Sequence, residues 1–213
     1  MTFFSQSQAT LKICGVTRAD EAVELVHIGV HAIGVNFWEK SKRYCPPATA
    51  REFLPVLAGK IFRVGVFVNN SLPLAEQLYL EGLLDAVQLH GDESSDDIAH
   101  FVSQKIPLIR AIPATDDFED ILPEARPDAV ILDTPAGKNY GGTGHIFDWN
   151  YALEFKKNHP GMPLILAGGI NPQNAAQALA IVRPAAIDIA SGAESSPGRK
   201  NMEKVKQLMA LLH

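Results

Sequence analysis

The stretch 163–192, PLILAGGINPQNAAQALAIVRPAAIDIASG, holds the pattern that decides the fold. It opens on an apolar run, 163–167 (PLILA), and breaks at Gly168-Gly169. It closes on a second run, 185–190 (AAIDIA), followed by Ser191-Gly192. Between the two, Asn171-Pro172 supplies a helix N-cap followed by proline at the first helical position. Ala175, Ala178, Leu179 and Val182 then fall at i, i+3, i+4 and i+7, the spacing of one helical face. The unit reads as strand, glycine turn, helix, strand, glycine turn.

Working outward, the same unit recurs along the chain. Apolar runs stand at 10–14 (TLKIC), 32–37 (AIGVNF), 61–68 (IFRVGVFV), 85–89 (DAVQL), 107–112 (PLIRAI) and 129–133 (AVILD). With the two already quoted they make eight. Each is nearly continuous in Val, Ile, Leu and Ala rather than alternating, as parallel strands buried on both faces require. Helical periodicity fills most of the intervals; the last segment lines up Met202, Val205, Leu208, Met209 and Leu212 on one stripe. Eight strands each followed by a helix predict a single compact α/β domain, a (β/α)8 barrel, over residues 10–213. An open doubly wound sheet is the rival. It usually has fewer strands and often a glycine-rich first turn, where Cys14-Gly15-Val16-Thr17 has one glycine. The nine residues before the first run read as a frayed N-terminal extension.

Composition narrows the class. The 213 residues are 46% hydrophobic and 20% charged, with net charge −5, the balance of a folded soluble domain. No apolar run approaches the ~18 residues that span a bilayer, and the start lacks the layout of a secretory signal. The 19 basic residues are scattered, so no stripe for nucleic acid is visible. Two cysteines, Cys14 and Cys45, are too few for a disulfide framework and lack zinc-site spacing. A cytoplasmic enzyme without a metal or nucleic-acid partner is the expectation; monomer and homodimer stay equally open.

Barrel active sites lie at the carboxyl ends of the strands, so position selects the candidates. Cys14 ends the first run and Asp133 the sixth, where the two can face each other across the mouth. A thiolate there can serve as base or nucleophile, and a carboxyl ending an apolar run suits a general acid or base. Against this, a lone cysteine is commonly an inert core residue, and Asp133 can merely cap a turn. Gly168-Gly169 and Ser191-Gly192 follow the last two runs, where barrels bind phosphate on backbone N–H groups; the plain alternative is two tight turns. Gly141-Gly142-Thr143-Gly144 lies in the longest strand-to-helix loop, residues 134–147, which suits a lid. Arg43, in the loop Trp38-Glu39-Lys40-Ser41-Lys42-Arg43-Tyr44, is either a surface charge or a fork for a carboxylate. His90 and Asp188 are further binding candidates. Lys12 shares a strand face with Cys14, as Gln88 does with His90, and Cys45 reads as structural.

The ordered motifs carry a resemblance. Lys12-Ile13-Cys14-Gly15, Gly34-Val35-Asn36-Phe37 with Ser41-Lys42-Arg43-Tyr44, and Val87-Gln88-Leu89-His90-Gly91-Asp92-Glu93 are followed by Leu132-Asp133, Gly141-Gly142-Thr143-Gly144 and Phe147-Asp148-Trp149. Leu166-Ala167-Gly168-Gly169-Ile170-Asn171-Pro172, Asp188-Ile189-Ala190-Ser191-Gly192-Ala193-Glu194 and Ser196-Pro197-Gly198-Arg199-Lys200 complete the set. From about residue 11 to the end, the chain resembles the phosphoribosylanthranilate isomerases of tryptophan biosynthesis. The resemblance implies a cofactor-free Amadori rearrangement of a small phosphorylated substrate, N-(5-phosphoribosyl)anthranilate, to 1-(2-carboxyphenylamino)-1-deoxyribulose 5-phosphate. It implies Cys14 as general base, Asp133 as general acid and Arg43 as the holder of the anthranilate carboxylate. Departures are few: Ala190 stands where serine is common, Ala193 where valine is common, and Asn201 where an acidic residue is usual.

Two other phosphosugar isomerase classes fit less well. A triose-phosphate isomerase wants a glutamate near the sixth strand, whereas Asp133 is one methylene shorter and Lys12 lies two residues below the strand end. The histidine-branch sugar isomerases use two aspartates, where this chain begins with Cys14. A non-catalytic barrel binding a phosphorylated ligand would leave Cys14 and Asp133 without a purpose.

Overall fold

The computed structural model describes residues 2–69, 71–115, 125–135 and 147–212. Eight parallel strands, β1 Thr10–Cys14, β2 Ala32–Asn36, β3 Phe62–Phe67, β4 Ala86–Leu89, β5 Leu108–Pro113, β6 Ala129–Asp133, β7 Leu164–Leu166 and β8 Ala186–Ile189, follow the eight apolar runs. They pair in chain order and close, β1 against β8, with Lys12 opposite Asp188. The described helices are α1 Ala19–Ile28, α2 Pro47–Phe53, α3 Leu72–Leu80, α4 Ser95–Ser103, α5 Asn150–Asn158, α6 Ala175–Val182 and α7 Met202–Met209. The architecture is the single-domain (β/α)8 barrel expected from the repeat. Among the described residues no helix is long and apolar enough to cross a membrane.

The continuous apolar runs have a direct structural cause. Outward-facing Leu11, Ile13, Ile33, Val87 and Leu132 join the helices' stripes in one buried cluster. Inward-facing Ala32, Val64, Ala86, Ile109, Ala129, Ile131, Ile165 and Ala186 form a second cluster inside the barrel. Both faces of each strand are therefore out of water, as parallel strands under helices must be. Toward the carboxyl ends the inward positions turn polar, with Lys12, Gln88 and Asp188. The barrel thus has a dry lower half and a chemically equipped upper half.

Three differences from the sequence reading stand out. First, the leader is seated rather than frayed. Phe3 and Phe4 are 2% and 5% exposed and belong to the interior cluster. The Phe3 ring lies 5.4 Å from that of Phe62, and its carbonyl accepts a hydrogen bond from Thr10 Oγ1 at 2.8 Å. Several interior neighbours are alanines, small enough to leave room for two aromatic rings. Second, the helix expected to start at Asn171-Pro172 becomes regular only at Ala175. Asn171 Oδ1 accepts from Gln173 N, while the side-chain amides of Asn171 and Asn174 donate to the Gly169 carbonyl. Asparagine's habit of bonding nearby backbone makes this stretch a turn that braces the glycines before it. Third, a hairpin not anticipated as structure, β9 Glu194–Ser196 with β10 Arg199–Lys200, follows β8. The lid motif Gly141-Gly142-Thr143-Gly144 and any helix between β5 and β6 lie outside the described residues.

Candidate active site

A cavity of about 860 Å³ opens at the carboxyl ends of the strands. Cys14, Arg43, His90, Asp133, Gly168, Gly169, Asp188 and Ser191 all line it, so all but one of the described site candidates meet in one place. Gly192 is the exception. A Cβ built on it would stand 1.9 Å from the Ile170 carbonyl oxygen, so its bare backbone is what lets the turns after β7 and β8 touch. Cys45 is buried elsewhere, its thiol pushed up to about 11 by burial, in keeping with a structural role. Among the described residues no cluster of three His, Cys, Asp or Glu could hold a metal ion.

Cys14 is the last residue of β1 and owes its position to two glycines. Gly34, opposite it on β2, carries no side chain; a Cβ there would lie 2.8 Å from Cys14 Sγ and 2.9 Å from Lys12 Nζ. Gly15, at φ +76°, turns the chain where a Cβ would strike Arg43 Cδ at 2.3 Å. Below the thiol, Lys12 is fully buried with Nζ 2.9 Å from Asp188 Oδ1. Burial works against the Lys12 ammonium, but Asp188 and then Cys14 outweigh it and the net shift is upward. Burial likewise pushes the Cys14 thiol up; Lys12 and Lys200 pull against that push, and Asp188 adds to it.

Asp133 ends β6, which β7 and β8 separate from β1. Its Oδ1 accepts from Thr134 N at 2.7 Å, and its Oδ2 faces His90 Nε2 at 3.4 Å. His90 Nδ1 is in turn 2.9 Å from Gln88 Nε2, so Gln88 on β4 and His90 just beyond its end form a short polar chain toward the Asp133 carboxyl. Gly168 at φ +74° presses on the same strand end: a Cβ would meet Thr134 Oγ1 at 2.4 Å. The glycine turn is therefore packed against the carboxyl-bearing strand end, and its neighbours Gly169 and Ser191 face the cavity.

Arg43 is not a free fork. Its Nε and Nη2 donate to Glu194 Oε1 and Oε2 at 2.8 and 2.7 Å. Lys200 Nζ reaches the same Oε1 at 2.8 Å and the Cys14 carbonyl at 2.5 Å. Burial acts to raise the Glu194 carboxyl, but Arg43 and Lys200 bring it below the usual range. Sequence reading assigned no role to Glu194 or Lys200. The signal for Gln88 was its shared strand face with His90; Glu194 and Lys200 belong to a hairpin whose partner lies 151 residues away.

The comparisons with known proteins agree in direction. A family model described as N-(5'phosphoribosyl)anthranilate (PRA) isomerase matches residues 11–210. An N-(5'-phosphoribosyl)anthranilate isomerase of Thermotoga neapolitana is 40% identical over 201 residues, 93% of this chain and 96% of its own. The crystal structure of phosphoribosyl anthranilate isomerase from Thermotoga maritima matches with a TM-score of 0.85 at 36% identity, covering 96% of this chain and 98% of that one. A phosphoribosyl anthranilate isomerase in complex with reduced 1-(o-carboxyphenylamino)-1-deoxyribulose 5-phosphate matches at a TM-score of 0.82 and 34% identity, over 96% and 98% of the two chains. The chain belongs to the phosphoribosylanthranilate isomerase family of tryptophan biosynthesis.

Proposed function

We propose that this isomerase converts N-(5-phosphoribosyl)anthranilate to 1-(2-carboxyphenylamino)-1-deoxyribulose 5-phosphate with Cys14 as general base and Asp133 as general acid. One observation carries the reading: a thiol and a carboxyl from separate strand ends line a single cavity, with the paired glycine turns and an arginine on its wall. The protonated Asp133 gives its proton to the ribose ring oxygen as the bond from that oxygen to C1 breaks. The anilino nitrogen's lone pair then forms the C1–N double bond of a Schiff base. That cation acidifies the C2 proton, which the Cys14 thiolate takes. The electrons left at C2 form the C1–C2 double bond and return a pair to nitrogen, giving an enolamine. The enol then loses its hydroxyl proton and C1 gains one, giving the ketone. The steps are proton transfers and shifts of electron pairs within the substrate, with no external oxidant or reductant, so side chains suffice and no cofactor is called for.

The surrounding groups fit supporting roles. The turns at Gly168-Gly169 and Ser191-Gly192 offer backbone N–H groups to the phosphate. Asp188 Oδ1 is held by Lys12, leaving Oδ2 for a substrate hydroxyl. His90 Nε2 stands beside Asp133 Oδ2 and supports the carboxylate once its proton has gone. Arg43 grips the anthranilate carboxylate. Turnover of the anthranilate ribotide, followed by loss of its fluorescence, tests the assignment. Cys14→Ala and Asp133→Ala should each lower kcat at least ~100-fold while affinity for phosphorylated ligand survives; near-normal kcat in both would overturn it.

A further inference from the structure

We propose that Glu194 and Lys200, on the hairpin formed by β9 and β10, are positioning residues that hold Arg43 with one edge spent and the other turned to the substrate carboxylate. The inference rests on the reading of Arg43 as the carboxylate clamp and deepens it. A guanidinium has two edges able to take a carboxylate in parallel bonds. Glu194 occupies the edge made by Nε and Nη2, in a pair whose side chains are 13% and 4% exposed. Among the described residues no hydrogen bond involves Nη1, so the edge made by Nη1 and Nη2 is the one left for a ligand, on a residue that lines the cavity.

Glu194 is itself fully committed. Its Oε1 accepts from Arg43 Nε, from Lys200 Nζ and from Gly198 N at 3.2 Å, and its Oε2 accepts from Arg43 Nη2. The carboxylate therefore does not compete with the substrate as a loose anion. Two cations against one anion also leave the cluster net positive, which favours an incoming carboxylate. The hairpin is fastened at both ends. Lys204 Nζ holds the Glu194 carbonyl at 2.8 Å, and Lys200 N reaches Glu21 Oε1 at 3.2 Å. Lys200 Nζ also bonds the carbonyl of Cys14, so one ammonium ties the clamp to the strand end that carries the thiol. Without this frame, arginine's long side chain would have to lose its rotamer freedom on each binding event.

A KM comparison on two substrates separates positioning from a merely structural role. One is the anthranilate ribotide; the other is N-(5-phosphoribosyl)aniline, which lacks the carboxylate. Glu194→Gln should raise KM for the first about ten-fold more than for the second, as expected when bonds to a charged group are lost. Glu194→Asp, which keeps the charge but shortens the reach, should give a smaller difference; it carries the test if Glu194→Gln does not fold. In the double variant Glu194→Gln/Arg43→Ala the discrimination should be no worse than in Arg43→Ala alone. Equal KM changes for both substrates, or additive losses in the double variant, would overturn the proposal. Should Arg43→Ala itself not discriminate between the substrates, the clamp reading fails first and separately.

Discussion

Lys12 Nζ lies 2.9 Å from Asp188 Oδ1 inside the barrel, joining β1 to β8 with the ammonium wholly out of water. Leaving either charge alone there is costly, because Lys12 is out of water altogether and Asp188 keeps only an 8% edge on the cavity. Lys12→Met should therefore destabilise the fold by about 3–5 kcal/mol, read as a shift in the thermal or urea midpoint. The double variant Lys12→Met/Asp188→Asn should lose less than Lys12→Met. The sign with pH follows from the raised Lys12 pKa: the pair's contribution is complete below the ordinary lysine value of 10.5 and is lost only as pH climbs through the higher folded value. A double variant less stable than the single one would contradict this account.

With Cys14 as base and Asp133 as acid, as proposed, the pair must share one proton to act, with the thiol ionised and the carboxyl protonated. At low pH both hold protons, and at high pH neither does, so kcat/KM should fall on the alkaline side as the shared proton is lost. Burial places the Cys14 thiol above its ordinary 9.0, so that falling limb should lie above 9.0. Lys12 favours the thiolate, so Lys12→Met should move the limb to still higher pH. A pH–rate series on both proteins checks the direction; a limb below 9.0, or a downward move in the variant, would count against Cys14 as the base.

Gly34 is where one methyl group would press directly on the Cys14 thiol. It would stand within 3.0 Å of both Cys14 Sγ and Lys12 Nζ and 3.2 Å from the Cys14 Cα, so the thiol must shift on the cavity wall while the fully buried Lys12 is hemmed in. Gly34→Ala should cost about 1–3 kcal/mol by overpacking. It should also reduce kcat by roughly 10-fold or more, since small displacements of a reacting group are expensive. Melting and steady-state kinetics together test this; a variant with wild-type kcat would show that the thiol has room to spare.

The leader should matter to stability and not to chemistry. Phe3 packs with Phe4 and Phe62 among the interior alanines, remote from the cavity at the strand ends. Phe3→Ala should cost about 3 kcal/mol, or roughly 6–12 °C in Tm for a chain of this size. KM and kcat at room temperature should be retained. An unchanged Tm would return the leader to the frayed tail that its sequence suggests.

Much of this protein is legible residue by residue, because the signals are local. Continuous apolar runs such as 129–133 mark strands with two dry faces, and the strand-end rule then picks out Cys14 and Asp133 before any contact is known. The turn at Asn171 was harder. Its proline and asparagine fit a helix start equally well, and only the reach of the two side-chain amides to the Gly169 carbonyl delays the regular helix to Ala175. The leader misled for a related reason: Phe3 and Phe4 follow no period, and what buries them is a space between strands that no short window contains.

By itself the sequence determined eight strands, their order, the end of the barrel that bears chemistry and the residue types at that end. Tertiary structure decided how those residues are paired. Lys12 meets Asp188 across 176 positions, and Arg43 meets Glu194 across 151. Such pairings arise when strand closure and a hairpin bring distant segments into register. The physical reason is the difference in range. Periodicity and turn preferences act over a few residues, whereas a buried charge takes whichever partner the closed barrel sets within about 3 Å of it.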